Sequence, residues 1–217
     1  MKVEQIPTKE AKPWILKKHY AHRMPCVQYS FGLFVDQALR GVVAYGPTCR
    51  ALNKGYSAFG EEKEINSFEL VRLCIEHENK NAASFLVGNS LKMLPRPSLV
   101  VSYADANVGH VGYVYQSTNW LYCGVTSKRR KFLDVNGKDV HERTLVSRYG
   151  TSSSGVIPKD ITIEEQEGKH KYIYICGNKS DKKKLLSCLL YPTFPYPKGE
   201  SKRYDASAKV EIQGVLL

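Results

Sequence analysis

Apolar and polar positions along the 217-residue chain recur with two periods, and the local period predicts each element. Lys9–His22 (KEAKPWILKKHYAH) has helical spacing, with Pro13 tolerable in a first turn or as a kink. Val27–Val35 (VQYSFGLFV) and Leu39–Tyr45 (LRGVVAY) read as strands joined by Asp36-Gln37-Ala38, an antiparallel hairpin. The polar stretch 47–64 is long for a plain connection, so it predicts a functional loop or a short helix. Phe68–Ile75 (FELVRLCI) is strand-like, and Asn81–Leu94 repeats at helical spacing until Pro95 and Pro97 stop it. Leu99–Tyr103 reads as a buried strand, Gly109–Thr118 as a short helix and Trp120–Val125 as another strand. This alternation predicts an α/β (α+β) fold with at least one parallel crossover.

Beyond Ser127 the pattern continues more weakly. Phe132–Val135 and Lys138–Val140 flank Asn136-Gly137, the signature of a hairpin with a type I′ turn. Glu142–Tyr149 reads as a helix and Lys171–Cys176 as a strand, and Ser180 is placed to cap a basic helix over Asp181–Leu190. Tyr191–Lys198 carries too many prolines for either regular state. No repeat, low-complexity tract or linker divides the chain. The expectation is therefore one domain over 1–217, with a catalytic core in 1–127 and an integrated basic part in 128–217.

Composition then restricts the partners. Hydrophobic residues at 42% and charged residues at 24% are ordinary for a folded chain. No apolar run of membrane-spanning length occurs, and the N-terminal residues lack the apolar core of a secretory signal. The 32 Lys and Arg against 21 Asp and Glu leave a net charge of +11, which makes a polyanion the first partner to consider. Residues from Lys128 onward hold 18 basic and 11 acidic residues, so +7 of the excess lies there. The six cysteines show no C-x-x-C spacing and read as reduced, mostly buried small hydrophobes.

Motifs for P-loop nucleotide hydrolysis, dinucleotide binding, zinc proteolysis and serine hydrolysis are absent. Three constellations remain. The strand-to-helix junction from Arg72 through Lys80, Asn81, Ala82, Ala83 and Ser84 suits an anion at a helix N-terminus, or simply a packing helix. Ser102-Tyr103-Ala104-Asp105 ends a buried strand with an acid, followed by His110, Tyr113 and Tyr115; this set suits metal ligation or proton relay, or Asp105 merely caps a turn. His19 and His22, three apart, share a face if helical, or decorate a helix end. Basic runs at Lys128, Arg129, Arg130 and Lys131, at Lys182, Lys183 and Lys184, and at Lys198, Lys202 and Arg203 interleave with aromatic residues, a pattern that suits phosphate contacts with base stacking.

The block FELVRLCIE, NAASFLVGNSLKML, LVVSYAD, GHVGYVYQST and NWLYCG resembles the core of the GNAT acyltransferase fold, a mixed central sheet flanked by helices. More narrowly, KKHYAHRMP, YSFGLF, LRGVVAYG, ELVRL and SYADANVGHVGYVYQSTNWLYCG, with HERTLVSRYGT, KHKYIYICG and PYPK, resemble the Mom family of bacteriophage DNA-modification proteins. The resemblance implies conversion of adenine in double-stranded DNA to its N6-carbamoylmethyl (methylcarbamoyl) form, protecting phage DNA from restriction in the cytoplasm of the infected host. It also implies acetyl-CoA as donor and a bound iron ion. Carried over, His19, Tyr20, Arg72 and Asp105 are the functional residues, and Ser84 helps to hold the CoA pyrophosphate, with Arg72, Lys80 and Asn81 beside it. The chain departs from GNAT enzymes in carrying HENKNAAS where they have a [RQ]-x-x-G-x-[GA] loop. Bond formation to the methyl carbon of an acetyl group calls for activation that a redox metal supplies, with Asp105, Tyr20, Tyr115 and His19 as its expected ligands. Reaching the amine implies base flipping. Oligomeric state stays open, a homodimer among the options. The rival readings are a conventional N-acetyltransferase acting on a protein or small amine, and a DNA-binding protein without catalysis.

Overall fold

Alternating apolar residues build the sheet from its first hairpin outward. The computed structural model describes residues 1–49, 56–59, 65–76, 79–140, 142–153 and 155–199. Lys202, Arg203 and most of the 47–64 stretch lie outside the described residues, although four residues of that stretch, Tyr56–Phe59, form a short helix (α2). Tyr29–Val35 (β2) and Ala38–Pro47 (β3) pair antiparallel across Asp36 and Gln37, whose φ values of 48° and 64° are those of a type I′ turn. An unforeseen strand, Lys2–Gln5 (β1), pairs with β2; four mostly polar residues at a sheet edge leave no periodic signal.

Helix α1 (Thr8–Lys18) ends before the predicted His22. His19 is already extended, His22 adopts a left-handed φ of 41°, and His22 Nδ1 lies 3.0 Å from the orphan Leu16 carbonyl oxygen. His19 and His22 therefore do not share a helical face. Ala11 and Ile15 of α1 pack on Val42, Ala44 and Val71, covering one face of the sheet.

Strand β4 (Asn66–Ile75) carries a slip in its alternation. Phe68, Leu70, Leu73 and Ile75 belong to one core, which requires an extra residue between Leu70 and Leu73. The register with β3 supplies it, jumping from Tyr45↔Leu70 to Ala44↔Arg72 and leaving Val71 as a β-bulge. Helix α3 (Ala82–Met93) then buries Leu86, Val87 and Leu91 against this core, on the face opposite α1. Its crossover makes β5 (Ser98–Ala104) parallel to β4, within an otherwise antiparallel seven-stranded sheet of order β1-β2-β3-β4-β5-β10-β6. This mixed sheet flanked by helices has the architecture expected from the sequence.

After β5 come a 3-10 turn at Ala106–Val108, a single helical turn α4 (Tyr113–Gln116), shorter than predicted, and β6 (Leu121–Val125). Strand β6 does not touch β5, because β10 (His170–Cys176) inserts between them. The intervening chain makes a second sheet, β8-β7-β9, from Arg129–Leu133 (β7), Asp139–Val140 (β8) and Thr162–Gln166 (β9). Helix α5 (Glu142–Tyr149) covers it, with Phe132, Leu145 and Ile157 in a separate small core. The Asn136-Gly137 turn is not type I′: only Gly137 has positive φ (71°), and Asp134 Oδ1 accepts from the amides of Asn136 and Lys138, each at 2.9 Å. The basic helix α6 (Lys179–Leu186) starts earlier than predicted, because Asn178 and Asp181 form a reciprocal capping box and leave Ser180 inside. The proline-rich tail lies along β6, where Phe194 N donates to Tyr122 O at 2.9 Å and shields the sheet edge.

Because Leu86 is fully buried at the α3–sheet contact, Leu86→Ala should lower stability by about 2–5 kcal/mol in urea denaturation, with an unchanged m-value.

Candidate functional site

Strands β4 and β5 pair only from Asn66↔Ser98 to Glu69↔Val101 and then diverge. The Ser102 hydroxyl reaches across the gap, 3.1 Å from Leu70 O and 2.8 Å from Tyr115 Oη. A cleft of about 770 Å³ opens at this divergence. Its walls come from both faces of the sheet: Ala83, Ser84 and Val114 on the α3 side, His19, Tyr20, Arg72 and Tyr103 on the α1 side. The cleft thus passes through the sheet, and two molecules can approach one point from opposite faces.

At the α1-side mouth, the early end of α1 turns His19 inward and stacks it on Tyr20, with ring centroids 4.3 Å apart; Tyr20 meets the edge of His110 at 6.0 Å. His19 is buried, and its Nδ1 accepts from Ala21 N at 3.1 Å. Burial pushes its pKa down to about 3, and the charge of Arg72 and the neighbouring His22, His110 and Lys169 act in the same direction. His19 is therefore a neutral imidazole at physiological pH. Burial raises the Tyr20 phenol, as does Asp105, against the pull of Arg72 and Arg129. Arg72 is fixed by backbone: Nη1 donates to Val71 O at 2.6 Å, and Nε and Nη2 donate to Arg23 O at 3.3 and 3.0 Å. The bulge at Val71 is what brings Arg72 to this mouth.

Asp105 has a different job from the one its residue type suggested. Its side chain is 7% exposed, and Oδ2 meets Lys169 Nζ at 2.8 Å and Arg129 Nη2 at 3.0 Å. Oδ1 accepts from Asn107 N at 3.1 Å and Asn107 Nδ2 at 2.9 Å. Burial alone would raise this carboxyl, but Lys169, Asn107 and Arg129 together hold it below its ordinary range. Asn107 also exchanges hydrogen bonds with the Glu167 backbone at 3.1 and 3.2 Å. Asp105 and Asn107 thereby clamp the root of the second sheet to the end of β5.

The expected iron ligands do not come together as a free donor set. Both Asp105 oxygens are committed to cations and amides, so a metal ion would have to displace two positive side chains. Tyr115 lines the cleft with its hydroxyl engaged by Ser102, and burial raises its phenol to about 12. No cluster of three His, Cys, Asp or Glu with metal-binding geometry occurs among the described residues. His19 and Tyr20 do line the mouth; with Asp105 and Tyr115 they do not form a metal site.

On the α3 side, Asn81 heads the helix without a side-chain cap, Ser84 Oγ donates to Asn81 O at 3.0 Å, and Lys80, Asn81 and Ser84 all line the cleft. Asn79 takes the first amides, with Oδ1 accepting from Asn81 N at 2.9 Å and its carbonyl from Ala82 N at 3.0 Å, so the small side chains and Lys80 are the features that fit a phosphate group. The basic run on β7 is largely self-neutralised: Arg129 pairs with Asp105, Lys128 with Glu167 at 3.1 Å, Arg130 with Glu142 at 3.5 Å and Lys131 with Glu164 at 4.0 Å. Lys182 lies over the Tyr174 ring at 4.9 Å, whereas Lys183 and Lys184 are exposed. Sequence reasoning passed over Lys169 and Glu69. Lys169 directly precedes β10 and carries no motif. Glu69 is half-buried, and burial raises its carboxyl against the pull of Lys169 and Arg72; an acid amid the apolar residues of FELVRLCI was the available signal.

The sequence model of the Mom protein family matches residues 1–198. The chain is 27% identical over 207 residues to the methylcarbamoylase mom of Escherichia phage Mu, an alignment that covers 91% of this chain and 84% of that protein. Among solved structures, an agmatine N-acetyltransferase matches 80% of this chain and 98% of its own at 12% identity and a TM-score of 0.44. A Bacillus subtilis acetyltransferase in complex with CoA matches 79% and 86% at 11% identity and a TM-score of 0.37.

Two pH effects follow from these environments. With a folded pKa depressed to about 3 and an unfolded value near 6.5, His19 contributes stability that is complete above about pH 6.5 and declines as pH falls toward 3. His19→Gln should flatten that part of the stability–pH curve, and the His19 imidazole should show no NMR titration between pH 5 and 8. Asp105, with its lowered pKa, stabilises above about pH 4 and loses that effect on acidification. Asp105→Asn should cost about 2 kcal/mol at pH 7, read from urea melts, and the gap to wild type should shrink below about pH 4.

Proposed function

The chain belongs to the Mom protein family, and on that premise we propose that it is a DNA-modifying transferase that places a carbamoylmethyl group on the exocyclic amine of adenine. The observation that carries this reading is the cleft that traverses the sheet between β4 and β5. A donor entering on the α3 side and a base entering on the α1 side meet there, and each is kept out of the other's channel.

The α3 side suits a CoA thioester. Lys80 would hold its phosphates, and Ser84 with the helix amides beyond Ala82 would sit against them. When bound, such a donor would supply the two-carbon acetyl unit, whose methyl carbon and not its carbonyl carbon becomes attached to the adenine nitrogen in the product. The diverging edge of β4 beyond Val71, unpaired with β5, offers backbone groups for an extended chain to align along. No step is assigned to a metal, because the donor set described above does not fit one.

The α1 side suits the flipped adenine. Tyr20 and His110 give it aromatic walls, and Arg72, held rigid by two backbone carbonyls, presents a cation that needs no reorganisation. Neutral His19, whose Nδ1 accepts from Ala21 N, carries its proton on Nε2 and would donate a hydrogen bond to the base, while the half-buried Glu69, its carboxyl raised by burial, would accept the proton that the amine loses as it reacts. An adenine amine is a weak nucleophile, since its lone pair is delocalised into the ring, so fixed positioning and a nearby base are the minimum the site must supply. Activity in the cytoplasm of an infected bacterium, and protection of phage DNA from restriction, follow from the same reading.

The test is direct. Host DNA from cells expressing the protein, digested to nucleosides, should contain a deoxyadenosine heavier by one carbamoylmethyl group in mass spectrometry. His19→Ala and Arg72→Ala should each reduce it by about 100-fold or more while the proteins remain folded. Acetylated protein amines with unaltered nucleosides would instead mark a conventional N-acetyltransferase. DNA binding with neither product would mark a non-catalytic binder.

A further inference from the structure

The positive charge that is free to meet a partner is not where its density along the chain is highest. On β7 and just before it, Lys128, Arg129, Arg130 and Lys131 each have a carboxylate within 4.0 Å, so this segment offers little uncompensated charge. The first helix is the opposite case. Lys9, Lys12 and Lys17 of α1 are exposed, as is Arg23 just beyond it, and none of the four has a carboxylate partner among the described residues. Ala11 and Ile15 point into the core, and at 100° per residue Lys9, Lys12 and Lys17 fall on the solvent side of the same helix. Glu10 is the sole acid of α1.

We propose that the outer face of α1, continued through Arg23, is the surface that docks the phosphate backbone of duplex DNA beside the target base. This rests on the adenine-modification reading and adds to it where the substrate lies. Three observations support it. The four cations carry an uncompensated charge of the sign that a phosphate backbone complements. An eleven-residue helix is about 16 Å long, enough to follow the backbone over roughly five base pairs at 3.4 Å each. The track also leads to the chemistry: α1 ends at His19 and Tyr20, on the wall of the cleft, and the Arg23 carbonyl holds Arg72 at its mouth. A strand of DNA lying along α1 would therefore reach the α1-side opening, the side assigned to the base. Cations at Lys92 and Arg96, at the far end of α3 on the other face, have no such relation to the mouth.

Salt-dependent binding separates the possibilities, using the full chain and a duplex containing adenine. Lys9→Gln, Lys12→Gln and Lys17→Gln together should weaken binding about 100- to 1,000-fold near 0.1 M salt and reduce the slope of log K against log salt by about 2 to 3, close to 0.9 per lost contact. Lys92→Gln with Arg96→Gln should leave both unchanged. Thermal melting equal to wild type for both variants confirms that the surface changes leave the fold intact. If the α1 variant keeps the wild-type slope, or the α3 variant loses as much, the docking surface is elsewhere; wild type that still makes the modified deoxyadenosine would leave the functional reading standing. Wild type that neither binds duplex nor makes the nucleoside removes both. Loss of slope with an acidic protein competitor but not with duplex would also overturn the assignment, by showing that the track serves a protein partner.

Discussion

The divergence of β4 from β5 is the constraint on which the rest of the site depends. A continuously hydrogen-bonded sheet has two separate faces, and no group on one side reaches a group on the other. Here the strands pair over four residues and then part, and the Ser102 hydroxyl bridges the start of the opening instead of backbone amides. The bulge at Val71 belongs to the same arrangement. It lets β4 keep Leu73 and Ile75 in the α3-side core while turning Arg72 toward the α1 side at the level of the gap. A strand without the extra residue could satisfy the core or aim the arginine, but the observed register does both.

The second structural decision concerns where charge is buried. Asp105 sits at the carboxyl end of β5, a common position for a reactive acid. Its neighbours decide otherwise. Two cations and two amide donors leave the carboxylate fully occupied, and those cations belong to the root of the inserted three-stranded sheet. The penalty of desolvating a carboxylate is offset only by this complete shell, so the interaction fixes the sheet's root in one place. Loss of Asp105 would loosen that attachment and disturb the mouth indirectly, through Lys169, whose field reaches His19 and Glu69. In contrast, Arg72 and His19 hydrogen-bond to backbone groups and also line the cleft.

Much of this was legible in the sequence. The β2–β3 hairpin, the β4–α3–β5 crossover and α5 follow from local periodicity, because each buries a face of its own residues. The failures share a cause: their determinants lie in distant residues. Strand β9, TIEEQ, has no apolar alternation, and its Glu164 and Glu165 stand opposite Lys131 and Arg130 of β7. The end of α1 depended on the left-handed conformation of His22, and the start of α6 on which of two neighbouring cap residues found a reciprocal partner. The site divided in the same way. His19, Tyr20 and Arg72 were visible as a motif and do line one mouth, whereas the role of Asp105 could be settled only by Lys169, more than sixty residues away in the chain.

Net charge shows the limit of composition most clearly. The excess of +11 is a property of the whole chain, and +7 of it lies after Ser127, yet attraction to a polyanion depends on which cations lack counter-charges within a few ångströms. A lysine beside a glutamate contributes a dipole whose field fades within a few ångströms of water and salt, whereas an isolated lysine contributes a monopole that persists over a Debye length. On β7 the folded chain turns most of the basic run into dipoles by placing the acids of β9, α5 and the β5 turn beside it. On α1 the outward lysines remain monopoles, and the helix delivers that field to the opening in the sheet. The location of an electrostatic surface is thus set by tertiary pairing, and the density of basic residues along a sequence is a poor guide to it.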